Sequence, residues 1–197
     1  VNNFNPANAG VGTHTITYSY TNTSTGCSNT ATQNIVVEAT PIVTFAALNG
    51  VCINASNIAL TGGSPTGGNY SGTGVSANNF NSTNAGVGTH TITYSYTNSS
   101  TGCSNTATQT ITVNPLPVLS VNAIPNLINY NTTPIILSGN PNGGTFIGNG
   151  VSGNTFNPAI AGLGTQQITY NYTDGNSCSN SSVISTIVYD TTGVLCT

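Results

Sequence analysis

Proton transfer, nucleophilic attack and metal ligation all need residue types that this chain holds in very small number. Its 197 residues include two histidines, His14 and His90, three acids, Glu38, Asp174 and Asp190, and five cysteines, Cys27, Cys52, Cys103, Cys178 and Cys196. A histidine can serve as a general base or a metal ligand. Here both fall at the same place in two near-identical stretches, a third copy has Gln166 there, and no acid or cysteine lies at a matching spacing. A half-buried strand histidine is the stronger reading. Catalysis by paired carboxylates needs two neighbouring acids, yet Asp174 and Asp190 stand in one copy only and Glu38 sits at a joint. A calcium site wants several oxygens with carboxylates among them, and no acid occurs between Thr40 and Pro115. The cysteines make no CxxC or Cys/His cluster of metal-binding spacing. The Gly-rich runs TGGSPTGG (61–68) and GTGVS (72–76) lack a GK[ST] continuation into a helix, so turn glycines outweigh phosphate cradles. The expectation is a non-enzyme with no catalytic, cofactor or metal site.

The elements that carry these residues follow from composition. There is no Lys and no Arg, and 2% of residues are charged, against about 25% in ordinary soluble domains. Thr, Ser, Asn and Gly supply the polarity, while 37% of residues are apolar, which is the composition of strands joined by tight turns. Without cations the chain cannot neutralise phosphates, so nucleic acid is excluded as a partner. Attraction to anionic membranes fails likewise, and no apolar run reaches the roughly 18 residues of a spanning helix. Val1 does not read as a translational start, so the chain is expected to be a portion of something longer.

Self-similarity is the main signal. Residues 8–33 and 84–109 are identical except for Thr23 against Ser99, and Phe4, Phe80 and Phe156 mark three successive copies. The front half recurs too, 51–76 matching 126–152 with one inserted residue, which sets Leu127 in the place of Cys52. The expected organisation is the back half of a unit at 1–39, complete units at 40–115 and 116–190, the last divergent, and the start of a following segment at 191–197. Each unit holds short alternating runs split by Gly, Pro and Asn clusters, the pattern of an all-β sandwich. In 90–97, His90, Ile92, Tyr94 and Tyr96 share one face and Thr91, Thr93, Ser95 and Thr97 the other. In 105–113, Ala107, Ile111 and Val113 point inward and the threonines outward. Asn114-Pro115-Leu116-Pro117 makes a stiff joint.

A unit of this size is near the limit of what core burial alone supports. Cys52 and Cys103 offer a remedy: a disulfide closing about 50 residues is worth roughly 4 kcal/mol in the chain-entropy model. Two buried free thiols are the alternative. Cys27 would then pair outside 1–197, and Cys178 would be left with Cys196, an awkward match across a whole strand. An oxidising, extracellular setting fits these cysteines.

The string from Cys52 to Val113, CINASNIALTGGSPTGGNYSGTGVS and onward through AGVGTHTITYSYT and TGCSNTATQTITV, resembles the Ig-like repeats of very large secreted and cell-surface proteins of Bacteroidota. The resemblance extends to 4–37 and, weakened, to 127–188. It implies tandem immunoglobulin-like β-sandwich domains in the stalk of a surface adhesin, of the kind used in gliding and exported by the type IX system. Asp190-Thr191-Thr192 resembles the short O-glycosylation acceptor of that phylum, whereas the sequons at Asn81, Asn98 and Asn131 carry little weight in so Asn- and Thr-rich a chain. Sheets commonly guard their edges with charge, and this chain has almost none. Lateral or end-to-end packing of neighbouring copies into a fibre is therefore expected. Surface glycan, met by exposed Tyr and Asn, is the alternative partner. Threonine ladders can bind ice, but the solvent face of a strand is the plainer reading.

Overall fold

The computed structural model describes residues 3–191. A helical turn α1 (Pro6–Ala9) precedes β1 (Gly12–Thr21) and β2 (Ser28–Val37), which form a two-stranded sheet of their own. The middle unit contributes β3 (Thr44–Phe45), β4 (Val51–Cys52), β5 (Ile58–Ala59), β6 (Gly63–Ser64), β7 (Asn69–Ser71), β8 (Val75–Ser76) and β9 (Asn79–Phe80). A turn α2 (Ser82–Ala85) leads into the long strands β10 (Gly88–Thr97) and β11 (Ser104–Asn114). The third unit follows with β12 (Ser120–Val121), β13 (Leu127–Asn129), β14 (Ile135–Ile136), β15 (Gly139–Asn140), β16 (Thr145–Gly148), β17 (Val151–Ser152) and β18 (Thr155–Phe156). It ends with α3 (Pro158–Ala161), β19 (Gly164–Thr173) and β20 (Ser179–Tyr189).

The chain is thus almost wholly β, and the same sheets recur. The middle unit has a four-stranded sheet in the order β4-β11-β10-β7, a three-stranded sheet β5-β9-β8 and the pair β3-β6. The third unit repeats them as β13-β20-β19-β16, β14-β18-β17 and β12-β15. In each, the long hairpin is central and its flanks are strands of two to four residues, one of them parallel: β4 beside β11, and β13 beside β20.

Alternation explains why the smaller sheets lie over the large one. Ile92, Tyr94, Ile111 and Val113, from β10 and β11, are buried with Phe45, Leu60 and Phe80 from the opposing elements. The threonines between them on β11 are exposed. In the third unit Ile168, Tyr170 and Val188 meet Ile128, Leu137, Phe146 and Phe156 in the same way. These are two layers closed over one apolar core per unit, a β-sandwich arrangement.

Strand register corrects one correspondence drawn from the sequence. Val51 and Cys52 lie opposite Val113 and Asn114, whereas Ile128 and Asn129 lie opposite Val188 and Tyr189. The following amides agree, Ile53 donating to the Asn114 carbonyl and Tyr130 to that of Tyr189. Asn129, and not Leu127, therefore stands where the middle unit has Cys52, a shift of two residues.

Candidate functional site

Both histidines and Asp174 are held in local structural bonds. His90 sits on β10, and its Nε2 lies 2.8 Å from the Gly86 carbonyl, just after α2. Since that acceptor is a carbonyl oxygen, Nε2 carries the proton and donates. His14 repeats the contact to Gly10 at 2.9 Å, and the Gln166 amide donates to Gly162 at 3.0 Å. One N–H at one position ties each long strand to the turn before it, which is why glutamine can replace histidine. Asp174 caps the tip between β19 and β20: its Oδ1 accepts from the amides of Asn176 and Cys178, both at 2.9 Å. Asn22 and Asn98 cap the two earlier tips through their own Oδ1. Among the described residues no three His, Cys, Asp or Glu side chains gather closely enough to hold a metal.

The Gly-rich runs clasp a tyrosine. Tyr94, on β10, accepts from the Gly68 amide at 2.8 Å and donates to the Pro65 carbonyl at 2.5 Å. A Cβ on Gly63 would stand 2.6 Å from the Tyr94 ring, and one on Gly68 2.4 Å from the Ser95 carbonyl. Only glycine lets the loop close this tightly on the phenol. In the third unit Tyr170 is held identically by Gly144 and Pro141, with Gly139 and Gly144 against its ring. Gly63 and Gly68, like Gly139 and Gly144, are therefore explained by close approach to a buried tyrosine, whereas Gly67 and Gly143 take positive φ in open space.

The feature with consequences beyond one unit is the joint. Cys52 is disulfide-bonded to Cys178, with Cα atoms 5.5 Å apart and 126 residues between them in sequence. The expected Cys52–Cys103 bond is not formed, and Cys103 is a free thiol. Geometry accounts for the difference. Cys52 pairs beside Asn114 at one end of β11, and Cys103 precedes Ser104 at the other. With a rise of about 3.3 Å per residue, the two ends lie on the order of 30 Å apart, far beyond the roughly 7 Å a disulfide spans. The end of β11 that carries Cys52 faces the third unit, whose hairpin tip presents Cys178. The alternative bond from Cys178 to Cys196 is excluded because Cys178 is already bonded, and Cys196 lies outside the described residues.

Polar contacts seat this joint and the one before it. The Asn180 amide group donates to the Pro117 carbonyl at 2.9 Å, and Asn105 donates to Pro41 at 3.0 Å. Each connector is thereby tied to the hairpin of the unit it enters. A shallow cleft of about 390 Å³ lies at the stapled joint, where Asn54 faces Tyr172, Thr173, Ser179 and Asn180. A signal for the true pairing was present in the sequence. The third unit keeps a tip cysteine but lacks a front one, so Cys178 has no partner inside its own unit and Cys52 is the nearest front cysteine before it.

Two exposed tyrosines lie together on β1. Tyr18 and Tyr20 on β1 line a cleft with Asn29, Thr30 and Ala31, and Tyr18 is 67% exposed where its counterpart Tyr94 is 2% exposed.

No family model matches the chain, and no curated protein matches it. A solved structure of a Ca2+-stabilized adhesin, which helps an Antarctic bacterium reach out and bind ice, is similar over 91% of this chain. The identity is 13% and the TM-score 0.37, and this chain spans 57% of that one. A likeness so loose says nothing about what this chain binds.

Proposed function

We propose that this chain is a non-catalytic length of an extracellular stalk or filament, in which β-sandwich units of immunoglobulin-like type are joined head to tail and stapled at their joints. The observation that carries the reading is the disulfide between Cys52 of one unit and Cys178 of the next. A bond within a unit would stabilise one bead, whereas a bond between units restrains how one bead turns against the next. That restraint serves a structure whose job is to hold shape over length. A disulfide also belongs to an oxidising compartment, so the proposal places the chain outside the cell.

Three further features support it. Each histidine in the described residues is committed to a backbone carbonyl, and Asp174 to a hairpin tip, which leaves those groups to structural duty. The long strands of the middle and third units lie inside their sheets, with edges of only two to four residues, a recognised way to discourage lateral pairing. Neighbouring copies are therefore proposed to meet end to end more than side to side. The motif resemblance adds the finer proposal of a cell-surface adhesin of Bacteroidota exported by the type IX route. Glycan binding, the second reading, has less support, because Tyr94 and Tyr170, at the place of Tyr18 in the complete units, are buried under their own loops.

Electron microscopy of the native material without added partners tests the proposal. Rods or filaments with an axial repeat of one or two sandwich units are expected. Compact particles without axial repeat would overturn it.

A further inference from the structure

Tension along a chain travels by the shortest covalent route, and this fold lays that route almost straight through two units. The Asn105 side chain, at the tip end of β11, donates to the Pro41 carbonyl at 3.0 Å. Midway along the strand Gln109 donates to the Phe45 carbonyl at 2.9 Å, and at the far end Cys52 pairs beside Asn114. The segment from Pro41 to Cys52 therefore runs the length of β11, in the same direction. The nine residue steps from Asn105 to Asn114 span about 30 Å of strand. The eleven steps from Pro41 to Cys52 could reach about 40 Å when fully drawn, so about 10 Å of slack remains. From Cys52 the disulfide crosses to Cys178, with the Cα atoms 5.5 Å apart. Cys178 immediately precedes β20, which runs extended to Tyr189, paired with β19 from Ser179 to Val188 and with β13 at its end. A strand already extended has little left to yield, on the order of 3 Å over these eleven steps.

We propose that the Cys52–Cys178 bond makes these two units a non-yielding length of the stalk, by carrying tension past them. The tension line is the segment from Pro41 to Cys52, the disulfide, and β20 from Cys178 to Tyr189. The loop of 126 residues between the cysteines lies off that line. It holds every strand from β5 to β19 and most of both apolar cores. Opening of either unit then leaves the end-to-end length of the chain nearly unchanged, because the residues it frees are closed off by the bond. A bond between Cys52 and Cys103 would act differently. It would take part of one unit out of the line and leave the joint and the whole third unit to be drawn out. The position of the bond across the joint is what shields two units with one disulfide.

This inference rests on the stalk reading but fails separately from it, since rods whose units draw out one at a time would leave the stalk standing and sink the tension line. The test holds the full, oxidised chain by short peptide tags at its two ends in an optical trap and stretches it, with the bond checked beforehand by intact mass. Residues outside 41–189 lengthen alike in every chain compared. Beyond that common lengthening, wild type is expected to show no step longer than about 20 Å. C52S, and C178S as a second break of the same bond, are expected to give two steps of roughly 220 Å, one per unit. Fully drawn, either variant should be longer than wild type by about 430 Å. That final length is the same whether or not a variant folds, so a poorly folded variant still reads out the shielded loop. C103S is expected to behave as wild type. Unit-sized steps in the oxidised wild type, or C52S and C178S chains no longer than wild type when fully drawn, would overturn the proposal.

Discussion

Breaking the Cys52–Cys178 bond separates a staple between units from a fastener within one. Suppose the third unit unfolds while the middle unit stays folded. Cys52 is then fixed beside Asn114, and the chain from Asn114 to Cys178 is a closed loop of on the order of 60 residues, whose lost entropy is worth roughly 4 kcal/mol. Unfolding the middle unit with the third intact closes a loop of similar size, from Cys52 to the connector at Pro117. Unfolding both releases a single loop of 126 residues, worth about 5 kcal/mol in the same model. Each separate opening therefore carries nearly the full penalty, and the second adds only about 1 kcal/mol. With the bond intact, the two units should unfold almost together. In Cys52→Ser they should open one at a time, each about a thousandfold more readily. Native-state hydrogen exchange with peptic fragments reads this directly, comparing β10–β11 with β19–β20 in wild type, C52S and C103S. C103S should match wild type in both hairpins. Loss of protection in only one of the two, a change below about 1 kcal/mol in both, or an equal effect of C103S would refute the reasoning.

Other perturbations follow from the local bonds. Tyr170→Phe removes the group that satisfies the Gly144 amide and the Pro141 carbonyl, and should cost about 1–3 kcal/mol in urea denaturation of the oxidised chain. Gly144→Ala would set a Cβ 2.4 Å from the Asn171 carbonyl and the Tyr170 ring; it should destabilise by about 1–3 kcal/mol. Gly175→Ala, with nothing within 4 Å of the added carbon, should stay within about 0.5 kcal/mol by the same titration. His90→Gln should preserve the N–H donated to Gly86 and leave the melting temperature nearly unchanged, while His90→Ala should lose about 1 kcal/mol. Asn81→Ala should cost about 1 kcal/mol, since Asn81 Oδ1 caps α2 at 2.7 Å through the Asn84 amide.

Much of this protein is written in its sequence by period. Alternation in 90–97 and 105–113 set which side chains face inward, because successive strand residues point to opposite sides whatever the partner. The repeat placed matching elements in matching positions, and the roles of His90 and Gln166 were legible as structural because two different side chains share one place. What local pattern could not carry was connection across distance. Cys52 and Cys103 share a unit and look like a pair, but a hairpin strand of eleven residues, Ser104–Asn114, stands between their two ends of the sheet. The parallel pairing of Val51–Cys52 with Val113–Asn114 is a contact between distant segments with no local signature. It alone turns Cys52 toward the next unit. The same register showed Asn129 in the place first given to Leu127, a shift of two residues that no alignment of so divergent a stretch could settle. The clasp on Tyr94 also belongs to the tertiary structure. Its glycines read as turn formers in the chain, and only the packed ring a few ångströms away shows why no larger residue fits.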